Sequence, residues 1–155
     1  MANTYTQIYI HTIFAVKFRQ SLIHQSFEEK LFQYITGTVQ GLGQKMLIIN
    51  GIPDHIHFMI GMKPDCKLSD LVREVKKAST KMINEQKVTQ RPFQWQEGFG
   101  AFSLGYTQLN MVGNYIKNQK EHHGIVTFKD EYIGMLNELE IEFKDEYVMD
   151  WIYEN

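Results

Sequence analysis

Residues 46–62 read MLIINGIPDHIHFMIGM and predict two neighbouring β-strands, at Met46–Ile52 and His57–Met62. The dipeptide Pro53-Asp54 between them is typical of a tight turn. In extended chain, residues two apart point to the same face, so His55 and His57 would lie side by side while Ile56 points into the core. The hairpin therefore predicts a sheet with one apolar face and one face that carries imidazoles.

The chain before this hairpin predicts a strand followed by a helix. The segment Thr4–Phe18 (TYTQIYIHTIFAVKF) is rich in β-branched and aromatic residues and contains no Pro or Gly. Ser26 and Glu29 have the spacing of a capping box, and apolar residues follow at helical intervals until Gly41 and Gly43. We therefore expect a long first strand and a helix that Ser26 caps.

The chain after the hairpin predicts a helix, a strand and a further helix. Ser69 lies at the start of the second helix, and Gly98–Leu104 has the composition of a fourth strand. Thr107 is expected to cap a third helix that runs to about Glu121. The resulting order is an α+β, ferredoxin-like βαββαβ plan, an antiparallel sheet with helices on one face, followed by a third helix and an acidic C-terminal extension.

The composition indicates one ordered domain with an uneven charge distribution. The 155 residues are 43% hydrophobic and 22% charged, with a net charge of −2 and a single cysteine. Residues 129–155 hold nine acidic and two basic residues, whereas residues 1–128 hold nine acidic and fourteen basic ones. We expect a basic domain over residues 1–128, with residues 129–155 as an acidic extension that packs on the domain or on a dimer partner.

The same composition excludes several classes of protein. No apolar run reaches the ~18–20 residues of a membrane span, and the N-terminus lacks the features of a signal peptide. One cysteine excludes an intramolecular disulfide framework and a four-cysteine zinc site. The expectation is a soluble cytoplasmic protein.

Two local patterns carry candidate chemistry. His55 and His57 could hold a divalent cation if a third ligand arrives from elsewhere in the fold; otherwise they are ordinary hydrogen-bonded histidines. On the third helix, Tyr115 and Gln119 are four residues apart and so share one face. A phenol, with an ordinary pKa near ~10, is a weak nucleophile unless a nearby cation polarises its target.

Basic residues form a candidate DNA-binding surface. One group falls on a single face of the second helix, and a second group lies near the end of the first strand and on the third helix. Basic groups at such positions would bind a phosphate backbone, although a solvated helix face has the same pattern. The residues concerned are Arg73, Lys76, Lys77 and Lys81 in the first group, and Lys17, Arg19, Lys117 and Lys120 in the second.

Four motifs, in order along the chain, resemble one family. They are HTIFAVKFR at 11–19, HIH at 55–57, FQWQEGFGAFS at 93–103 and YIKNQ at 115–119. Together they resemble the single-tyrosine HUH transposases of bacterial insertion sequences (TnpA type), including the REP-associated tyrosine transposases. The resemblance covers roughly residues 4–128.

The resemblance implies a chemistry for the matched residues. His55, His57 and Gln119 correspond to the metal ligands, with Mg²⁺ or Mn²⁺ as the cofactor, and Tyr115 corresponds to the catalytic nucleophile. Tyr115 would cleave and rejoin single-stranded DNA, which in this family often carries a hairpin, through a 5′-phosphotyrosine intermediate. The resemblance also implies a homodimer, and neither a nucleotide cofactor nor a membrane partner.

Alternative functions remain at this point. The chain lacks the two separated HxT/S motifs of two-histidine phosphoesterases, and Met59 stands where a histidine-triad hydrolase would need a third histidine. An RRM-type RNA-binding module would carry aromatic residues on its third strand, where this chain has HIHFMIGM. A non-catalytic or domesticated relative that binds repeat hairpins would keep the same motifs, so the sequence does not separate it from a mobile transposase.

Overall fold

A computed structural model of the chain describes residues 3–122 and 128–140. The strands are β1 (Tyr9–Ala15), β2 (Lys45–Ile52), β3 (His55–Gly61) and β4 (Gly100–Leu104), and the helices are α1 (Gln25–Gly41), α2 (Leu68–Gln86), α3 (Leu109–Lys117), α4 (Gln119–His122) and α5 (Phe128–Glu138). The strands form one antiparallel sheet in the order β2-β3-β1-β4. The predicted α+β, ferredoxin-like architecture is confirmed. None of the described helices is long and apolar enough to cross a membrane.

The two faces of the sheet have different roles. Phe14 on β1 and Ile56 and Phe58 on β3 pack against α1 and α2 in the main hydrophobic core. The alternate residues of the same strands face the other way, where Ile13 packs with Phe102 of β4 in a second, smaller core. Because β3 is buried on both faces, its period of two residues separates an apolar core from the face that carries the histidines.

The first strand is shorter than predicted. Strand β1 covers Tyr9–Ala15 rather than Thr4–Phe18, and a 3₁₀ turn follows at Lys17–Arg19. Phe18 has a φ of 59°, a left-handed conformation that no strand accommodates. The chain therefore leaves the sheet two residues after β1 ends.

Two predicted helix caps are wrong. Helix α1 begins one residue before Ser26, because the His24 carbonyl accepts the amides of Phe27 and Glu28 and so starts the first turn earlier. Thr107 lies inside a short 3₁₀ turn, and α3 begins only at Leu109. The predicted single helix to Glu121 is interrupted after Lys117, where α3 ends and α4 follows.

Helix α5 is held on the sheet by two apolar side chains. Tyr132 and Leu136, one helical turn apart, pack on Ile13, Ala15 and Phe102 in the second core. The Tyr132 ring fits over Gly100 so closely that a Cβ at position 100 would lie 2.7 Å from Tyr132 Cε2 and 2.8 Å from Ile13 Cγ2. The absence of a side chain at Gly100 therefore makes room for the ring of Tyr132. Helix α5 begins at Phe128 and packs on β1 and β4 of the same chain, and residues 141–155 of the predicted acidic extension lie outside the described residues.

We predict that Gly100→Ala destabilises the chain by about 1–3 kcal/mol, because the added methyl group overpacks the contact between β4 and α5. Urea unfolding monitored by circular dichroism measures the change. Gly134→Ala on α5 is the matched control, since a Cβ there meets nothing within 4 Å. Equal stability of the two variants would contradict the close packing of Tyr132 on Gly100.

Lys76 connects α2 to the loop that precedes β4. Its Nζ donates hydrogen bonds to the Gln96 carbonyl at 2.8 Å and to the Gly98 carbonyl, and lies 5.1 Å from the centre of the Phe14 ring. Burial lowers the pKa of the Lys76 ammonium to about 8, against an opposing effect of Glu97. The ammonium group of Lys76, one of the predicted DNA-binding residues, is thus bound to backbone carbonyls of its own chain.

We predict that wild type gains stability relative to Lys76→Met as the pH rises from about 8 to 10.5. Across this window the unfolded chain keeps the Lys76 proton while the folded chain releases it, so the unfolded state binds more protons and the free energy of unfolding rises. Denaturant unfolding of both proteins along this pH range measures the difference. Lys77→Met, at an exposed position of the same helix, is expected to follow wild type. The interpretation fails if the two variants have the same pH profile.

Candidate active site

Strand β3 places two imidazoles together at the centre of the sheet. His57 pairs with Ile13 of β1 and Asn50 of β2, and His55 lies two residues earlier on the same face. The two ring centroids are 5.1 Å apart, and neither residue has any exposed surface. Ile56 points to the opposite core, as the alternation predicts.

The turn before β3 orients the first imidazole. His55 Nδ1 lies 2.7 Å from Asp54 Oδ1, and the aspartate is 13% exposed. A carboxylate oxygen accepts and does not donate, so the His55 proton belongs on Nδ1 and the Nε2 lone pair is directed away from the aspartate. This is the arrangement that a metal-binding histidine requires.

Helix α3 brings Tyr115 to the histidines, and Gln119 at the start of α4 contacts Tyr115. The Asn50 side-chain amide on β2 donates to the carbonyls of Ile116 and Lys117, at 3.0 and 2.9 Å, and thereby satisfies the last turn of α3. The ring centroids of Tyr115 and His57 are 5.9 Å apart within the same chain. Gln119 is fully buried, and its amide nitrogen lies 3.3 Å from the Tyr115 carbonyl.

Helix α5 adds an acid that the sequence analysis did not identify. Glu131 is 7% exposed, and its Oε1 lies 2.9 Å from His57 Nε2. The charge of Glu131 also acts on Tyr115, whose pKa it raises. One ligand atom from each of His55, His57 and Glu131 lies within 4.8 Å of the other two. Glu131 thus joins the two histidines to the tyrosine.

One sequence signal could have identified this acid. Tyr132 and Leu136 are four residues apart and form an apolar stripe, which predicts a helix that packs on something. A carboxylate next to such a stripe lies at the edge of the buried face. The nine acidic residues of the extension conceal the signal, because a run of acids also predicts a solvated surface.

His11 is a further buried member of the site. Its Nε2 lies 2.8 Å from His57 Nδ1, and the two rings are stacked with centroids 5.0 Å apart. Burial lowers the pKa of His11 to about 4, against the charge of Glu131, which raises it. Burial likewise lowers the pKa of His57 to about 3, against its hydrogen bond to Glu131. Both rings are therefore neutral at neutral pH.

The tyrosine is protonated in this arrangement. Burial raises the pKa of the Tyr115 phenol well above its ordinary value, and both the hydrogen bond to Glu131 and the negative charge of Glu131 raise it further. A side-chain hydrogen bond with Gln119 acts in the opposite direction. The site therefore holds a neutral phenol beside a carboxylate, and formation of a phenolate requires added positive charge or removal of the proton to an acceptor.

The basic residues predicted to bind DNA do not all lie near this site. Helix α2 packs on the face of the sheet opposite His55 and His57, so the sheet separates Arg73, Lys76, Lys77 and Lys81 from the histidines. Arg73 lies 3.0 Å from Asp70, and Lys81 lies 3.9 Å from Glu85. These pairs are largely exposed and leave both cations accessible to solvent.

The second group of predicted DNA-binding residues is closer to the tyrosine. Lys117 is exposed at the end of α3. Lys120 on α4 contacts Glu28 and the Asn50 side chain, both at 3.1 Å, and so connects α4 to α1 and β2. Lys17 lies 5.4 Å from the Phe18 ring centre, and the side chain of Arg19 lies outside the described residues.

Comparisons with known proteins relate this site to one family. Residues 4–119 match the family model described as "Transposase IS200 like". A protein described as a transposase from Deinococcus radiodurans R1 has a similar crystal structure, with a TM-score of 0.63 and 19% sequence identity over 77% of this chain and 95% of that chain. No curated protein sequence matches this chain.

A second solved structure has the same fold. It is a REP-associated tyrosine transposase bound to a REP hairpin, with a TM-score of 0.62 and 18% identity over 81% of this chain and 74% of that chain. At these identities the two structures establish a shared fold. The family match covers about three quarters of the chain and includes His55, His57, Tyr115 and Gln119. The chain therefore belongs to the IS200-like transposase family.

Proposed function

We propose that this transposase cleaves and rejoins single-stranded DNA through Tyr115, with His55, His57 and Glu131 holding a divalent cation beside it. The observation that carries the proposal is the convergence of a half-buried phenol with a buried carboxylate and two buried imidazoles. These groups come from β3, α3 and α5 of a single chain.

The donor set suits a divalent cation. Asp54 favours the His55 proton on Nδ1, which makes Nε2 the ligand nitrogen, and the Glu131 carboxylate supplies the negative charge that two neutral imidazoles lack. The resemblance implies Mg²⁺ or Mn²⁺, and a mixed nitrogen and oxygen set is compatible with Mn²⁺ in particular. Such an ion, when bound, polarises a phosphoryl oxygen and offsets the charge of Glu131 that raises the pKa of Tyr115.

The residues of the chain supply the remaining chemistry. The Tyr115 oxygen attacks the phosphorus, and the bond from phosphorus to the leaving 3′-oxygen breaks, so that a 5′-phosphotyrosine and a 3′-hydroxyl result. Glu131, whose charge acts on the phenol, is proposed to accept the phenol proton, and the leaving 3′-oxygen takes up a proton from water. The covalent link conserves the phosphodiester, so a 3′-hydroxyl can reverse the step without ATP.

The proposed DNA substrate carries a hairpin. A structural neighbour of the same fold binds a REP hairpin, and residues 1–128 of this chain carry more basic than acidic residues. Lys117 is the last residue of α3, the helix that carries Tyr115, and is exposed, which suits contact with a phosphate of the strand near Tyr115. For Arg73, Lys77 and Lys81 we propose a contact with more distant parts of the hairpin, on the other side of the sheet.

The active site can be complete in one chain. Tyr115 and His57 contact each other within the chain, so the homodimer that the resemblance implies is not needed to supply the tyrosine. We propose that a dimer, if the chain forms one, serves to hold two DNA ends together. Analytical ultracentrifugation with and without hairpin DNA measures the assembly directly.

We predict that Tyr115→Phe abolishes covalent capture of DNA and leaves hairpin binding within about twofold of wild type, because only one oxygen atom is removed. Single-stranded oligonucleotides from both flanks of the gene, incubated with Mn²⁺ or Mg²⁺ and separated on denaturing gels, detect the adduct. Tyr106→Phe, at an exposed tyrosine outside the site, is the control and should retain the adduct. An adduct with Tyr115→Phe would show that another residue is the nucleophile.

The third ligand can be identified by a pair of substitutions. We predict that Glu131→Gln weakens Mn²⁺ affinity by about 10- to 100-fold, since it removes an anionic donor. Gln119→Ala should keep the affinity within about threefold of wild type, because Gln119 contacts the tyrosine. Isothermal titration with Mn²⁺ measures both. A larger loss for Gln119→Ala than for Glu131→Gln would make Gln119 the ligand and refute the assignment of Glu131.

A further inference from the structure

Asn50 joins the strands that carry the histidines to the helix that carries Tyr115. It lies on β2 directly opposite His57 of β3, and opposite residues of an antiparallel pair direct their side chains to the same face of the sheet. Its amide nitrogen donates to the carbonyl of Ile116 at 3.0 Å and to the carbonyl of Lys117 at 2.9 Å. These two residues directly follow Tyr115, so a side chain beside His57 holds the turn of α3 that carries the phenol.

The hydrogen-bonding groups of the amide fix its orientation. The nitrogen carries two hydrogens, and the two carbonyls of α3 use both. The oxygen can only accept, and it faces Nζ of Lys120 at 3.1 Å. An amide turned the other way would place its oxygen against two carbonyls and its nitrogen against an ammonium group. The bonds to α3 therefore require both donors of Asn50.

Lys120 extends this contact to α1. Its Nζ lies 3.3 Å from the Gly51 carbonyl and 3.1 Å from Oε1 of Glu28, whose side chain is 14% exposed. The lysine, which is 48% exposed, thus contacts three oxygens from β2 and α1. We call Asn50, Lys120 and Glu28 the Asn50 cluster.

The bonds of Asn50 coincide with the interruption between α3 and α4. In an unbroken helix, the carbonyls of Ile116 and Lys117 would accept the amides of the residues four positions later. Here α3 ends at Lys117, and the Glu121 amide donates to the Asn118 carbonyl instead. The donors of Asn50 therefore stabilise the end of α3 on β2, between Tyr115 and the start of α4.

We propose that the Asn50 cluster positions the nucleophile, by holding the end of α3 on β2 so that the Tyr115 ring stays in contact with His57. Asn50 and Lys120 are positioning residues, because they act through Tyr115. Lys120, which the sequence predicts to bind DNA, thereby has the role of holding α4. This role rests on the proposed function, because it takes Tyr115 as the nucleophile.

The contact between the rings of Tyr115 and His57 gives a readout that needs no activity. Asn50→Asp keeps the size of the side chain and an acceptor for Lys120, and it replaces the two donors by an oxygen that the carbonyls of α3 repel. We expect the nuclear Overhauser cross-peak between the two rings to disappear in this variant, and the methyl cross-peaks of the main core to remain.

Asn114→Asp is the matched control for this measurement. It adds the same charge at an exposed position of α3, and it should keep the cross-peak between the rings. A cross-peak of wild-type intensity in Asn50→Asp would overturn the proposal. Thermal unfolding reports whether each variant is folded.

The kinetics of adduct formation separate positioning from DNA binding. Because a displacement of about 1 Å can cost about 100-fold in rate, Lys120→Met should slow adduct formation at saturating DNA by about 10-fold or more. Its affinity for the oligonucleotide should stay within about threefold of wild type, and the salt dependence of that affinity should not change. Lys30→Met, at an exposed position of α1, is the control.

Two further variants give the comparison that Lys120→Met needs. Lys117→Met removes a proposed phosphate contact and should weaken binding, with a salt slope that is smaller by about 0.7 to 1. Glu28→Gln breaks the ion pair with Lys120 and removes no cation, so slower adduct formation in this variant cannot come from a lost phosphate contact.

The outcomes distinguish this role from the proposed function. Weaker binding and a smaller salt slope for Lys120→Met, with a wild-type rate at saturating DNA, would make Lys120 a phosphate contact and overturn its positioning role. Wild-type rates for both Lys120→Met and Glu28→Gln would overturn it as well. If wild type forms no adduct, the proposed function is overturned, and the cross-peak in Asn50→Asp still decides whether Asn50 positions Tyr115.

Discussion

The structure depends on the central strand β3, which is buried on both faces between β1 and β2. Its alternation sends Ile56 and Phe58 into the main core and His55 and His57 to the opposite face. A shift in register by one residue would bury the imidazoles in the apolar core and expose the isoleucine and the phenylalanine to the site. The packing of the apolar side chains of β3 thus determines the face of the sheet on which its two histidines lie.

The second face of the sheet combines apolar packing with buried polar groups. Tyr132 and Leu136 attach α5 to the sheet, and Glu131 on the same helix turns toward His57. An ionised carboxylate is costly to bury unless it receives hydrogen bonds or an opposite charge. Here the carboxylate lies 2.9 Å from the His57 imidazole and acts on the Tyr115 phenol, and a bound cation would supply the opposite charge. The packing energy of the two apolar residues is what holds the acid at the site.

The features that the sequence predicts correctly are those that follow the two-residue repeat of a strand or the 3.6-residue repeat of a helix. Strand alternation was sufficient to place His55 and His57 together, and the helical spacing of Tyr115 and Gln119 brought both toward the same site. The end of α3 was not predictable, since it depends on the Asn50 side chain, 66 residues away from Ile116. Glu131 was missed for the same reason: its contacts are with residues distant in sequence, and the acidic residues around it predict a solvated segment.

The position of Glu131 along the chain affects how the site is assembled. His57 and Glu131 are 74 positions apart, and Glu131 is the last of the proposed site residues along the chain. The sheet, α1 and α2 are all encoded before residue 105, and the tyrosine follows at 115. During synthesis from the N-terminus, these elements can fold before α5 has been made. A chain that ends at residue 119, where the family match ends, would contain the histidines and the nucleophile and would lack the acid between them.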